Sequence, residues 1–469
     1  MTQYTFDESL FKKSFSVKDD KPENLYRLNH TADKCFKLFP YKATPKTASP
    51  VVYDLGDCIS EFFRNALGIS AVPVEYEQLC DKILNNIEIE EDDMEFFRDI
   101  ISSLFFKNGN FYAYNIGLYP YQTISDNKSS ERIAEFLYCV LGLDDCDKEH
   151  IIKAGDSYSF NVLEKMVVDS IETQNTEPKT RTERYYQIIT SIQQQFKADF
   201  AFMLASGMTS VEDLTNILSF YYFYYISQTC LTLDQFGNGN RDQVQPLYFA
   251  LDWEKVSKNR KCCEEGWAKL QNNISQMYSH AITLEIINQS KDSEMFDYID
   301  FELMSAVSEE DDVRISNEIK KAEDIYVSYI GDCPKIRNLP DEEGVNHTDG
   351  AIRHLFKCVN TQFTDTDRNR ASQLYSEKFS EFCKARFVKN RKKSGLTLNL
   401  TERDVIFLTK LAIQHCEKIR LNDLYKEYEN RGIYLDSTSK SLLQEFFTKL
   451  NLIDKKSDSG DAQYVKRIL

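Results

Sequence analysis

Asp312, Glu318 and Lys320 are the combination of side chains in this sequence that most resembles a nuclease centre. Two carboxylates and a lysine could hold a divalent cation beside an attacking water. Such centres normally lie on a strand or a β-hairpin, whereas the charge-rich stretch 309–321 has helical spacing, which favours a solvated helix face. A metal-dependent nuclease that uses these three residues is therefore an alternative hypothesis.

Other catalytic and ligand-binding patterns do not emerge from the sequence. Its six histidines, at positions 30, 150, 280, 347, 354 and 415, match no known metal motif, and no Cys-x-x-Cys occurs. The glycine-rich turn 236–242 fits neither a P-loop nor a dinucleotide-binding fingerprint. No Gly-x-Ser-x-Gly nucleophile elbow is present. We therefore predict no catalytic residue, no metal ligand and no cofactor, and a protein that is not an enzyme.

Positive charge concentrates at the C-terminal end of the chain. Residues 384–469 carry a net charge of +7, which leaves −24 on residues 1–383. Six cations stand within ten residues of this end: Lys384, Arg386, Lys389, Arg391, Lys392 and Lys393. Because a phosphate backbone is attracted to such a field, these six residues are predicted to contact DNA.

The order of elements after this basic run predicts a winged helix-turn-helix module. Thr401 with Asp404 opens one helix, a second helix ends at Gly432, and a third begins near Asp436 or Ser437 before a returning hairpin. The start of the third helix and the wing would supply further DNA contacts, from Ser437, Lys440, Lys455, Lys456, Lys466 and Arg467. Winged helices also dock on proteins, so a module that contacts only protein is a second possibility.

For the rest of the chain, the composition predicts long helices. Hydrophobic residues make up 42% and aromatic residues 13% of the 469 residues, and only 16 glycines and 10 prolines interrupt them. We expect a mainly α fold, with a large multi-helix body and a C-terminal winged helix-turn-helix (α+β) module. The predicted domains are a polar N-terminal arm (1–50), an acidic helical body (51–383) that could hold two subdomains, a basic linker (384–395) and the winged-helix module (396–469).

Two helical segments, 182–204 and 211–231, are predicted to form the centre of the core. The second contains seven consecutive aromatic or aliphatic residues, 220–226, without an interleaved cation, so we interpret it as buried core and not as a platform for bases. Polar residues within 214–233 argue against a membrane span. The 12 cysteines, mostly in apolar segments, and a charged N-terminus predict reduced thiols and a cytoplasmic protein.

The segments Leu-Ser-Phe-Tyr-Tyr-Phe-Tyr-Tyr-Ile-Ser-Gln (218–228) and Pro-Leu-Tyr-Phe-Ala-Leu-Asp-Trp-Glu (246–254) resemble the DptG (DndG) family. This family is the G component of bacterial DNA phosphorothioation-dependent restriction. The resemblance implies a subunit of an antiviral defence complex that attacks DNA lacking backbone sulfur. It also implies F and H partner proteins that supply NTP hydrolysis and cleavage. It carries over no catalytic residue.

Together these observations predict a non-catalytic scaffold subunit that engages duplex DNA with low sequence specificity. Its expected partners are DNA and the F and H components of the same restriction system. We expect no contact with a membrane. The alternatives are the metal-dependent nuclease described above and a pure protein-docking assembly factor.

Overall fold

The structure is a computed structural model of the 469-residue chain, and it describes residues 4–70, 73–123, 127–172, 185–291, 294–455 and 463–468. Most of these residues are helical, which confirms the predicted mainly α class. In chain order the helices are α1 (Glu8–Ser14), α2 (Ile59–Leu67), α3 (Tyr76–Leu84), α4 (Glu91–Phe105), α5 (Lys128–Val140), α6 (Asp145–Asp156), α7 (Val162–Glu172), α8 (Ser191–Ala205), α9 (Val211–Leu233), α10 (Lys261–Glu264), α11 (Trp267–Ile287), α12 (Tyr298–Ser305), α13 (Glu309–Ser328), α14 (His347–Asp365), α15 (Asn369–Arg386), α16 (Glu402–Ile413), α17 (Leu421–Asn430) and α18 (Ser437–Lys449).

Short strands form three small sheets among the described residues. The strands are β1 (Phe106–Lys107), β2 (Asn110–Phe111), β3 (Leu247–Leu251), β4 (Val388–Asn390), β5 (Leu396–Leu400), β6 (Lys418–Arg420), β7 (Ile433–Tyr434), β8 (Ile453–Lys455) and β9 (Gln463–Lys466). Their orders are β1-β2, β4-β5-β3-β7 and β6-β9-β8. Single 3₁₀ turns lie at Leu55–Cys58, Tyr119–Tyr121, Phe236–Asn238, Pro334–Asn338 and Lys392–Ser394.

Helix prediction succeeded over most segments in which apolar residues recur with a period of 3.6, and the structure differs from it at three places. Apolar residues recur with helical spacing over 262–287, but the helix breaks at Gly266, where a Cβ atom would lie 2.5 Å from the carbonyl oxygens of Cys262 and Tyr248. The predicted helix 182–204 begins only at Ser191, and positions 182–184 lie outside the described residues. Helix α6 was not predicted, although Asp144 and Asp147 form a capping box at its start.

The chain divides into two compact units. Unit 1 comprises Met1–Tyr53, Tyr185–Ser191 and Phe223–Leu469, and unit 2 comprises Asp54–Arg184 and Ile192–Tyr222. In unit 2, α2 packs on α5 and α3 packs on α4 and α7.

Unit 1 is built around α11, which packs against α14 and α15, while α13 packs along α14. Apart from α1, the N-terminal segment consists of turns, bends and irregular backbone, and its aromatic residues Tyr4, Phe11 and Phe36 are buried. The Tyr4 hydroxyl donates to the carbonyl of Ile287 at 2.7 Å. The buried carboxylate of Glu285 on α11 accepts the amides of residues 34–36. The predicted polar arm is therefore packed into the core of unit 1.

The aromatic run 220–226 on α9 is buried at every position, as predicted, so these rings are core residues. Within the described part of the chain, no helix is both long and apolar enough to cross a bilayer. The structure describes all twelve cysteines; none is in a disulfide, and seven are buried.

The four-stranded sheet joins distant parts of unit 1. Strand β3 lies at its centre, parallel to β5 on one side and to β7 on the other, and Phe249, Ala250 and Leu251 are buried. Strands β5 and β7 belong to the predicted C-terminal module, whereas β3 comes from the predicted body. Residues 384–395, predicted as a linker, contain the end of α15, strand β4 and a turn. The C-terminal residues therefore form one continuous sheet with β3.

Candidate nucleic-acid interface

The C-terminal residues fold as three helices followed by a hairpin. Helix α16 begins at a capping box in which Thr401 and Asp404 exchange hydrogen bonds, as the sequence indicated. Strand β6 then leads directly into α17, and Gly432, with φ +76°, follows the end of that helix. After α18, strands β8 and β9 form an antiparallel hairpin, and β9 also pairs with β6. Strands β6, β9 and β8 thus form one antiparallel three-stranded sheet.

One face of this sheet is basic and surrounds a tyrosine ring. Lys418 is paired in register with Lys466, and Arg420 with Tyr464, so the four side chains share a face. The Lys418 ammonium lies 5.1 Å and the Arg420 guanidinium 5.9 Å from the centre of the Tyr464 ring. We call Lys418, Arg420 and Lys466 the basic sheet face. Val465 points to the opposite face and is fully buried.

One carboxylate on this side of the sheet partly offsets the positive charge of the basic sheet face. Asp454 on β8 accepts a hydrogen bond of 2.7 Å from Lys418. This bond raises the pKa of Lys418 above its usual value. Arg420 also donates to the Tyr464 hydroxyl, at 3.3 Å. The face therefore presents three cations, one carboxylate and one aromatic ring.

Two of these cations, Lys418 and Arg420, were missed by sequence reasoning. The first C-terminal helix was predicted to extend through Ile419, with Leu421 as a short extended link, whereas α16 ends at Ile413 and residues 418–420 form β6. The alternation of basic and apolar residues, Lys-Ile-Arg-Leu at 418–421, was a usable strand signal. Of the predicted wing residues, Lys466 lies on the basic sheet face and Arg467 is exposed beside it. Lys455 ends β8, and Lys456 lies outside the described residues.

The start of α18 is only partly available to a ligand. Ser437 is exposed, as a groove-contacting residue would need to be. Lys440 is half-buried, donates to Glu429 at 3.0 Å and lies over the ring of Tyr425. The ammonium of Lys440, which was predicted to contact DNA, is therefore already hydrogen-bonded to Glu429 within the protein.

Asp436 and Ser439, which also belong to this helix start, are tied to the loop after β3. Arg260 donates two hydrogen bonds of 2.6 Å to Asp436 and one of 2.8 Å to Ser439. Ser439 in turn donates to the buried carboxylate of Glu254. Burial alone would raise the pKa of Asp436, but the hydrogen bond from Arg260 holds it below its usual value. This network fixes α18 against β3.

Three of the six cations in the basic run are used inside unit 1. Arg386 donates to Asp404 at 2.6 Å, and Lys389 donates to Asp252 at 2.5 Å. The hydrogen bond from Lys389 lowers the pKa of Asp252. Arg391 donates to the carbonyl oxygens of Leu251 and residue 254, and its burial lowers the pKa of its guanidinium. Lys389 and Arg391 thus tie the segment around β4 to the end of β3, whereas Arg386 joins α15 to α16.

The other three cations of the run face solvent. Lys384 is exposed and pairs with Glu381 at 3.1 Å. Lys392 and Lys393 are exposed and form no ion pair within the described residues. The structure thus does not bring the six predicted contacts together on a single surface.

The nuclease-like residues do not form one cluster. They lie on α13, as the helical interpretation predicted. The two carboxylate oxygens of Asp312 accept the amides of His347 and Thr348 at the start of α14, at 3.0 and 2.8 Å. Glu318 instead accepts the amide of Phe6 at 2.9 Å. Both carboxylates therefore have structural hydrogen-bonding roles in unit 1.

Neither a protein-family model nor a curated protein matches this chain.

Proposed function

We propose that the C-terminal residues form a winged helix module that holds duplex DNA mainly through the basic sheet face. The observation that carries the proposal is that Lys418 and Arg420 lie over the Tyr464 ring, while Lys466 is paired with Lys418 on the same face of the sheet. Ammonium and guanidinium groups on an exposed strand pair can bind phosphate oxygens. Such contacts release counterions and provide affinity that does not depend on sequence.

Low sequence specificity is expected from the chemistry of α18. Its exposed residues near the start are Ser437, Thr438 and Ser441, whose short hydroxyls can reach phosphates or single base edges. Specific base recognition usually relies on bidentate contacts from Arg, Asn or Gln. None of these residue types stands in the first turn of α18. The module would therefore hold DNA without selecting a sequence.

At the level of the cell, we propose a non-catalytic scaffold subunit of a bacterial restriction complex that acts on DNA lacking phosphorothioate modification. The support is the resemblance of residues 218–228 and 246–254 to the DptG (DndG) family. The structural roles of Asp312 and Glu318 also weigh against the alternative of a nuclease that uses them. Partner F and H subunits would supply NTP hydrolysis and cleavage.

Charge separation suggests how such a complex would assemble. Residues 1–383 carry a net charge of −24, so a basic partner surface would be attracted to them while DNA is repelled. The C-terminal residues, at +7, would remain available for DNA. In this arrangement the acidic residues contact protein and the basic sheet face contacts nucleic acid.

The proposal is tested by duplex binding with the full-length protein, because β5 and β7 depend on β3. The test variant is Lys418→Gln/Arg420→Gln/Lys466→Gln. The matched control is Lys21→Gln/Lys153→Gln/Arg337→Gln, which removes the same charge from exposed positions elsewhere. We expect the test variant to bind at least about tenfold more weakly and the control to bind like wild type, because only the first loses phosphate contacts.

Equal binding by the two variants would contradict a role for the basic sheet face. Wild-type protein that fails to bind any duplex, yet still captures the partner subunits, would favour the pure docking factor. A far-UV circular dichroism spectrum shows whether each variant keeps its helical content.

A further inference from the structure

Glu323, His354 and Cys358 bring three potential metal ligands together where α13 packs along α14. One ligand atom from each residue lies within 4.8 Å of the other two. His354 Nδ1 lies 2.8 Å from Glu323 Oε1 and 3.9 Å from Cys358 Sγ. Small side-chain movements would bring these three atoms to the spacing that a metal ion with ligand distances of about 2.0–2.3 Å requires.

The chemistry of the three groups matches one class of ion. His354 and Cys358 are four residues apart on α14, so both project from the same helix face, and Glu323 faces them from α13. An imidazole nitrogen, a thiolate and a carboxylate oxygen are the three protein donors that Zn²⁺ uses. Mg²⁺ and Ca²⁺ prefer oxygen ligands alone.

The cluster borders an open cleft of about 1050 Å³, which Glu323 and His354 line together with residues 341–347. Cys358 is fully buried behind them, whereas the side chains of Glu323 and His354 are 15% and 18% exposed. A bound ion would thus have three protein ligands on one side and the cleft on the other. This leaves room for a water molecule as the fourth ligand.

The charge around the cluster favours a cation. The cleft is also lined by the acidic residues Asp324, Asp341 and Glu343. Their negative charges would attract a divalent cation toward the cluster.

We propose that Glu323, His354 and Cys358 bind one Zn²⁺ ion, with water as the fourth ligand. The ion links α13 to α14 within unit 1. This inference concerns metal binding by the helical part of unit 1 and does not depend on the proposed DNA contact. The spacing of His354 and Cys358 was visible in the sequence, but Glu323 joins them only through helix packing.

Titration of the metal-free full-length protein with Co²⁺ tests the proposal directly. Tetrahedral Co²⁺ with a cysteine ligand gives visible d–d bands and a near-ultraviolet thiolate charge-transfer band. We expect both to saturate at one equivalent and to disappear when one equivalent of Zn²⁺ is added, because Zn²⁺ occupies the same ligands. Saturation only with Mn²⁺ or Mg²⁺, without a thiolate band, would overturn the proposal.

Variants assign the ligands. Cys358→Ser and His354→Gln should lose the charge-transfer band or weaken Zn²⁺ binding by at least about 100-fold, more than outer-shell changes typically do. Cys416→Ser and His415→Gln change exposed residues of the same types and should bind like wild type. Glu323→Gln keeps the size of the side chain, so it tests the carboxylate even if the α14 variants fold poorly. Unchanged Zn²⁺ affinity in both Glu323→Gln and Cys358→Ser would contradict the site.

Discussion

Arg260 holds the carboxylate of Asp436 through two hydrogen bonds of 2.6 Å each, and the side chains are only 11% and 12% exposed. This ion pair connects the loop after β3 to the first turn of α18. The same guanidinium lies 3.3 Å from Glu254, whose side chain is fully buried. The orientation of α18 therefore depends on a residue far away in the sequence.

Arg260→Ala should destabilise the protein by about 3 kcal/mol, because it leaves the carboxylates of Glu254 and Asp436 buried without their cation. The free energy of unfolding in urea measures this loss. Lys426→Ala is the control, since its partner Asp423 and Lys426 itself are largely exposed. That control should change the free energy by less than about 1 kcal/mol. Similar losses in the two variants would contradict a structural role for the Arg260 network.

Gly432→Ala should be more destabilising than Gly68→Ala. Both glycines have positive φ, +76° and +69°, so alanine strains the backbone at either position. A Cβ atom at Gly432 would also lie 2.8 Å from the Tyr224 ring, whereas nothing lies within 4 Å at Gly68. Overpacking should add about 1–3 kcal/mol at Gly432. Urea unfolding of the two variants measures the difference, and equal losses would show that the Tyr224 ring moves away freely.

Acid should weaken the fold through His280. Burial lowers the pKa of His280 to about 3, while the unfolded chain keeps a value near 6.5. Below pH 6.5 the unfolded state therefore binds a proton that the folded state does not, and stability falls by up to about 1.4 kcal/mol per pH unit.

His280→Phe retains ring packing against Phe356, whose centroid lies 4.3 Å away, and removes this titration. Between pH 6 and pH 5, wild type should lose about 1 kcal/mol more unfolding free energy than the variant. His415→Phe changes an exposed histidine and should follow the wild-type pH dependence. Parallel curves for wild type and His280→Phe would contradict the depressed pKa.

The purified chain should neither hydrolyse ATP nor cut duplex DNA. Asp312 is occupied by backbone amides at the start of α14, and Glu318 by the amide of Phe6, so neither carboxylate is placed to share a metal with the other. Phosphate release and plasmid nicking with Mg²⁺ or Mn²⁺ measure these activities. Nicking that disappears in Glu318→Ala would instead support the nuclease hypothesis.

Much of the helical fold was predictable because apolar periodicity is a local property of the sequence. The burial of 220–226 followed from rings around the whole helix circumference. The break at Gly266 was not predictable, because it depends on the close approach of the Tyr248 carbonyl from β3.

The candidate sites were harder to predict from the sequence than the helices. The basic run indicated free positive charge, yet Lys389 and Arg391 bind groups at the end of β3, far away along the chain. The basic sheet face requires β6 and β9 to pair across the intervening helices. Composition therefore located the positive end of the chain, and strand pairing determined which cations share a face.

The salt dependence of duplex binding by the full-length protein tests the central claim most directly. Affinity should be measured between about 50 and 200 mM salt for wild type and for Lys418→Gln/Arg420→Gln/Lys466→Gln. Each phosphate contact contributes about 0.9 to the slope of log affinity against log salt, so the account predicts a variant slope shallower by about 2 to 3. A variant with the wild-type slope and affinity would contradict DNA binding by the basic sheet face.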